Sequence, residues 1–352
     1  MNREDLFYSI SDISPEFIEE LNESAEKKNH SKKAVIITIC AVVAIAGATV
    51  YAAAKYNFGR GMSDLQIDES QKQSLVETSA AIIYDTQDNH QDLAVTSEDI
   101  TITPVSVIAD ERCAYISFKV SGFTYENRNN EPIFDWVYVY EDEDQTEELD
   151  CIGSFDDGLV SDGADGYVYF DGTPVETNEY GGPIPRYFDD NNDLYYLMCV
   201  SSHDIDDNML GRTIYIKFTC LAESWKTQII SSVDGEWNID LELPAQSTSV
   251  HKDVQQEIEG SPYYLDSIDI SPVSVRLNYT ISEHGSDIPF LTAVVLDDGR
   301  ELWLNYDSLN GWDGQNVYTN VYFAQVIDPD HVSALLIYPD LDSTSYVTVP
   351  VN

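Results

Sequence analysis

Residues 34–54 read AVIITICAVVAIAGATVYAAA, 21 positions without a charge between Lys33 and Lys55. A helix of that length rises roughly 30 Å, the thickness of a bilayer's hydrocarbon core. Read as a transmembrane helix, it divides the chain into a short head and a long tail on opposite sides of a membrane. Lys27, Lys28, Lys32 and Lys33 precede the stretch, whereas only Lys55 and Arg60 follow closely. The positive-inside bias then puts the N-terminus in the cytoplasm and residues 55–352 outside the cell. The expectation is a single-pass protein of the cell membrane, seated in the lipid bilayer with Lys32, Lys33 and Lys55 flanking the span. Cleavage of a leader is the competing reading, since Ala52-Ala53-Ala54 resembles a peptidase site, but a signal peptide's apolar core runs only about 7–15 residues. Ala44, Ala48 and Ala52 place small residues at four-residue spacing, which suits pairing of two spans as well as chance in an alanine-rich segment.

The tail is strongly acidic. Of 18 Lys+Arg and 63 Asp+Glu in the 352 residues, the first 33 positions hold five and eight, which leaves 13 and 55 beyond the span. Such a surface repels nucleic acid and anionic lipid, so nucleic acid is excluded as a partner. With most of the 23 Tyr and 12 Phe, and all five Trp, the tail has enough apolar material for a packed core. Its length suits two domains.

From Glu98 the hydrophobic period becomes two. Ile116, Phe118 and Val120 alternate with Ser117 and Lys119; Trp136, Tyr138 and Tyr140 with Val137 and Val139; Ile214, Ile216 and Phe218 with Tyr215 and Lys217. Short alternating runs separated by Gly/Asp/Asn-rich gaps mark antiparallel strands of a sandwich. Glu236–Leu243 closes the first unit before Pro244. Ile102-Thr103-Pro104-Val105-Ser106-Val107 recurs as Ile270-Ser271-Pro272-Val273-Ser274-Val275, which suggests a second, related unit. Each Pro belongs at a strand edge or bulge. Asp298-Gly299 predicts a hairpin turn. The chain therefore divides into a head (1–33), a transmembrane helix (34–54), a membrane-proximal stalk (55–97), a first β-sandwich (98–246), a linker (247–260) and a second β-sandwich (261–352). The fold class is mainly β: two antiparallel sandwiches, one transmembrane helix and a short helical cytoplasmic head.

The head reads as two short helices, the second starting at Ser14-Pro15-Glu16 with Ser as cap and Pro at the first position. Leu6, Phe7, Ile10, Ile13, Phe17, Ile18 and Leu21 recur at helical spacing against an acidic opposite side. So short an amphipathic segment is marginal alone: it either stays partly disordered or folds onto a partner's groove, and seven aligned apolar side chains favour the partner.

No catalytic signature stands out. The histidines at 30, 90, 203, 251, 284 and 331 form no His-Glu-x-x-His pattern, and no Gly-x-Ser-x-Gly elbow or phosphate loop is present. An enzyme is not expected, nor a cofactor. Asp156, Asp157, Asp162, Asp165 and Asp171, with Asp189, Asp190 and Asp193, offer oxygen ligands for calcium, yet Asp serves turns for local reasons, and no metal site is assigned. Trp303, Tyr306 and Trp312 are candidates for stacking on sugars, or for core packing. Cys113, Cys151, Cys199 and Cys220 permit one or two disulfides, and their strand positions suit buried free thiols equally.

The run Leu6-Phe7-Tyr8-Ser9-Ile10-Ser11-Asp12-Ile13-Ser14-Pro15-Glu16-Phe17-Ile18, the lysine-rich junction, the single span and the β-rich tail together resemble the DUF4179 group of membrane-bound anti-sigma-factor-like proteins of Gram-positive bacteria. Ile102–Val120 and Gly235-Glu236-Trp237 resemble its exported domain, and Ser271-Pro272-Val273-Ser274-Val275 the immunoglobulin-like domain that follows. The resemblance implies regulation: a cytoplasmic head that sequesters an extracytoplasmic-function sigma factor, and exported sandwiches that receive an envelope signal from an unknown extracellular ligand. The head has no Cys and only His30, so no zinc site is expected there. The other class open to the sequence is an exported adhesion or ligand-binding sandwich protein, for carbohydrate or calcium, with an inert anchor.

Overall fold

The computed structural model describes residues 58–60, 62, 69–86, 89–90, 93–125, 127–161, 167–178, 181–202, 208–225, 228–282, 287–304, 308–313, 315–323, 326–340, 343 and 345–351. A short helix, α1 (Glu69–Glu77), is the first helix or strand among the described residues. It is followed by β1 (Ala81–Ile83), the paired β2 (Asp85–Thr86) and β3 (Asn89–His90), β4 (Val95–Ser97), β5 (Ile100–Ala109), β6 (Cys113–Ser121), β7 (Glu131–Tyr140) and β8 (Glu148–Phe155). A small ladder, β9 (Leu159–Ser161) with β10 (Tyr167–Tyr169), precedes β11 (Leu194–Ser201), β12 (Thr213–Trp225) and β13 (Gln228–Glu242).

The main strands join in the order β1-β5-β6-β11-β8-β7-β12-β13, with β4 also on β5. Strand β8 turns the path over: Asp150–Phe155 pairs with β11, and Glu148 and Leu149 pair with β7. The layers so formed share one apolar core. Phe118 and Phe218 meet edge to face across it at 5.1 Å, and Phe134 lies 4.8 Å from Phe218. Trp237, fully buried on β13, donates its Nε1–H to the Ile100 carbonyl at 2.9 Å, fastening the last strand to the start of β5. Pro104 is accommodated where the edge is vacant. Strand β4 ends its pairing with β5 at Ile102, and β1 resumes it at Ser106. On the other side a register shift falls between Pro104 and Ser106, so the missing N–H breaks no ladder bond.

The second body has β14 (Val250–Glu257), β15 (Tyr263–Ile270), β16 (Ser274–Ile281), β17 (Phe290–Leu296), β18 (Glu301–Trp303), β19 (Ser308–Asp313), β20 (Asn316–Tyr322), β21 (Val332–Tyr338) and β22 (Val347–Pro350). They form two sheets, β14-β15-β16-β20-β19 and β18-β17-β21-β22, around a second core that includes Ile268, Leu277, Val294 and Leu335. Gly299, at φ +84, turns β17 into β18.

Residues 58–352 form one compact unit, and polar groups join its two cores. Asp110, 1% exposed, accepts backbone N–H bonds from Arg112 and Cys113 at 2.7 and 2.8 Å through Oδ1. Its Oδ2 accepts the hydroxyls of Ser271 and Ser274, both from the second copy of the sequence repeat. The Tyr115 hydroxyl donates to the Phe323 carbonyl at 3.1 Å, and Ser249 Oγ to Glu111 Oε2 at 2.8 Å. Residues 58–60 are tied in as well: Phe58 is buried, its carbonyl accepts the Ser106 hydroxyl at 2.6 Å, and Arg60 pairs with buried Asp156 at 3.0 Å.

The architecture expected from the sequence is corrected in its helical part. Among the described residues no helix is long and apolar enough to cross a membrane. Helix α1, nine polar-rich residues, rises about 13 Å, under half of a hydrocarbon core. This corrects the expected single transmembrane helix and the single-pass membrane localisation with exported sandwiches. Residues 34–54 with Lys32, Lys33 and Lys55, and the head bearing Leu6, Phe7, Ile10, Ile13, Phe17, Ile18 and Leu21, lie outside the described residues.

Candidate ligand-binding face

Strands β7, β12 and β13 bury one face and offer the other. On β13 the pattern is strict: Trp237, Ile239 and Leu241 are buried, while Glu236, Asn238 and Asp240 are exposed. Across the ladder, Val139, Ile214, Ile216 and Phe218 also go inward. Side chains at paired positions share a face, so the register fixes the outer surface as a grid of three rows. Tyr140 lies beside Tyr215 and Asp240, Tyr138 beside Lys217 and Asn238, and Trp136 beside Thr219 and Glu236.

Three rings run along β7. Trp136, 59% exposed, is 6.1 Å from Tyr138 with 15° between planes, and Tyr138 is 6.2 Å from Tyr140 with 18°. Lys217, the cation of the grid, pairs with Glu236 at 2.9 Å, and Asn238 Nδ2 donates to the same carboxylate at 3.1 Å. Those hydrogen bonds, from Asn238 and then Lys217, hold the Glu236 carboxyl below its ordinary value. At the other end, partial desolvation and the nearby Glu148 carboxylate raise the Tyr140 phenol. The face is thus aromatic along β7 and at Tyr215 of β12, and polar at the remaining positions of β12 and β13.

The residues singled out in the sequence fall elsewhere. Trp303 is on β18 and Trp312 on β19, which belong to different sheets, and Tyr306 lies outside the described residues. The loop aspartates serve local structure: Asp157 accepts the Leu159 N–H, Asp171 accepts Thr173 and pairs with Arg186, and Asp189 accepts Asn191 and Asp193. Asp162 and Asp165 lie outside the described residues. Among the described residues no group of three or more His, Cys, Asp or Glu is placed to hold a metal ion. Cys113, Cys151, Cys199 and Cys220 are free thiols. Burial, together with hydrogen bonding to Cys199 and the Asp110 charge, pushes the Cys113 thiol well up, and burial takes that of Cys151 to about 11.

Periodicity alone misses the aromatic row because both alternating sets of β7 are apolar: Trp136, Tyr138, Tyr140 against Val137, Val139. The signal is in the partner strand, where Tyr215 and Lys217 oppose Ile214, Ile216 and Phe218 and so declare which side is wet.

No family model and no curated protein matches the chain, so the DUF4179 resemblance rests on the residues quoted for it. Among solved structures, a conserved domain protein from Bacillus anthracis aligns over 70% of this chain and 75% of its own, at 14% identity and TM-score 0.42. Titin domains Z1Z2, solved in complex with telethonin, align over 72% of this chain and 94% of that one, at 13% identity and TM-score 0.15. At these scores neither likeness carries an argument about this chain.

Proposed function

We propose that the chain is a binding protein in which the first sandwich presents the β7–β12–β13 face to a ligand and the second sandwich braces it. The observation that carries this reading is the outward row of exposed Trp136 and half-buried Tyr138 and Tyr140, with Tyr215 beside it, on a sheet whose other face packs against the core. Exposed aromatic rings on a rigid frame supply contact area at low cost in side-chain entropy. The test is a panel of soluble probes of different chemistry, namely a neutral β-linked glucan hexamer, an arginine-rich peptide and a glutamate-rich peptide, titrated into wild type and into Trp136→Leu/Tyr138→Leu/Tyr140→Leu. At least one probe should bind wild type and be weakened by the triple substitution. If no probe distinguishes the two proteins, the face is not a binding site.

A second reading concerns the head. The helical spacing of Leu6, Phe7, Ile10, Ile13, Phe17, Ile18 and Leu21 in an acidic stretch of sequence supports docking on a basic, groove-bearing protein. In that reading the partner is a sigma factor, and the β body passes the ligand signal to it as an anti-sigma regulator. Residues 1–33 should then co-purify with the sigma factor encoded beside the gene, and a head with those seven residues changed to Ser should not.

A further inference from the structure

The rings do not by themselves name a ligand; the charges around them do. Beyond Trp136, Asp135 and Asp234 flank the bulge at Cys220, whose thiol is raised by partial burial and then by their charges. Glu236 closes the row at Thr219, Asp240 stands next to Tyr215, and Glu148 pairs opposite Tyr140. Against these carboxylates the grid offers one cation, Lys217, already engaged with Glu236 at 2.9 Å. A neutral sugar would stack on the rings and leave the acids unused. An anionic polymer would be repelled by them and by a chain of net charge −45. A cation satisfies both features at once, because the π-face of Trp, and less strongly of Tyr, attracts ammonium and guanidinium groups.

The spacing narrows the class further. Ring centroids recur at 6.1 and 6.2 Å along β7. In an extended polypeptide, side chains on one face recur every second residue, about 6.6 Å. A strand laid along β7 with Lys or Arg at alternate positions therefore brings one cation to each ring, and its intervening residues face solvent.

We propose that the Trp136–Tyr138–Tyr140 face binds an extended basic polypeptide segment with Lys or Arg at every second residue. The proposal rests on the ligand-face reading above and specifies its ligand. Because cation–π attraction at exposed sites is modest, each ring should contribute about threefold to affinity, and the three together roughly thirtyfold.

The experiment titrates four probes into the full chain by calorimetry at physiological ionic strength. They are an alternating arginine–serine decapeptide, a block decapeptide of the same composition with all its arginines first, an alternating glutamate–serine decapeptide, and the neutral glucan hexamer. Bulk acidity attracts both arginine peptides equally, so the comparison between them isolates the ring spacing and needs no variant. The alternating arginine peptide should bind tighter than the block peptide. Trp136→Leu/Tyr138→Leu/Tyr140→Leu should erase that preference while the melting temperature holds, and Trp136→Phe/Tyr138→Phe/Tyr140→Phe, which keeps a π-face at each position, should retain it. Equal affinities for the two arginine peptides overturn the proposal. If the glucan alone binds in a ring-dependent way, the ligand face stands and the basic-peptide assignment falls. If no probe depends on the rings, both fall.

Discussion

Asp110 is nearly inaccessible and accepts four hydrogen bonds, two from its own loop backbone and two from serines of the second sandwich. Removing one partner of a buried charged hydrogen bond leaves desolvated groups behind, so Asp110→Ala should lose roughly 3 kcal/mol of stability in urea unfolding. A loss under about 1 kcal/mol would show that solvent reaches the joint. Two histidines of the second sandwich set a different sensitivity. The hydrogen bond to Asp269, helped by the charges of Asp269 and Asp253, raises His251. The bond to Asp297, with Asp328 and Asp330 nearby, raises His331. A histidine whose folded pKa exceeds its unfolded value of about 6.5 contributes fully below that value, and the contribution is lost as pH rises through the folded pKa. The melting-temperature difference between wild type and His251→Ala/His331→Ala should therefore be largest near about pH 5.5 and shrink towards about pH 8.5. A difference that grows with pH would reverse the assignment.

At the scale of elements, the β4–β5 turn carries visible strain. Ser97 pairs with Ile100, leaving Glu98 and Asp99 as a two-residue loop with φ of 51° and 63°. Both residues sit in the left-handed region that the hairpin's twist demands and that Asn and Gly adopt most readily. Glu98→Asn with Asp99→Gly should stabilise the protein by about 1 kcal/mol, read as a higher urea midpoint at unchanged slope. At the far edge, β13 pairs with β12 and with no other strand among the described residues; Glu236, Asp240 and Glu242 lie exposed along it, and charge on an edge strand discourages a second chain from adding to it. Most strands are legible in the sequence because burial on one face imposes alternation, as at Ile214–Phe218 and Glu236–Leu243. Strand β7 is not fully legible, since valine and aromatic positions are equally apolar and only tertiary packing chooses between them.

At the scale of the whole molecule, the two cores are joined by hydrogen bonds between residues 161 and 164 positions apart. No local pattern announces such a joint: Ser271 and Ser274 read as part of a strand-like repeat, and only the close approach of the sandwiches brings them to Asp110. The repeat of Ile102–Val107 in Ile270–Val275 points to two units but not to their union. The apolar run at 34–54 reads as a membrane span by length alone, and no helix among the described residues supports that reading. A buried joint predicts cooperativity, so scanning calorimetry of residues 58–352 should give one transition, with Ser271→Ala/Ser274→Ala splitting it in two. Two transitions in the unsubstituted protein would show that the sandwiches melt independently.

The claim on which the functional account turns is that Trp136 meets the ligand while the tryptophan behind the same sheet does not. Indole N–H resonances of the protein, followed during titration with the alternating arginine peptide, test it directly. The Trp136 signal should shift in proportion to binding, whereas that of Trp237, fully buried and bonded to the Ile100 carbonyl, should stay in place. A Trp136 signal that does not move while calorimetry reports saturable binding would contradict the account.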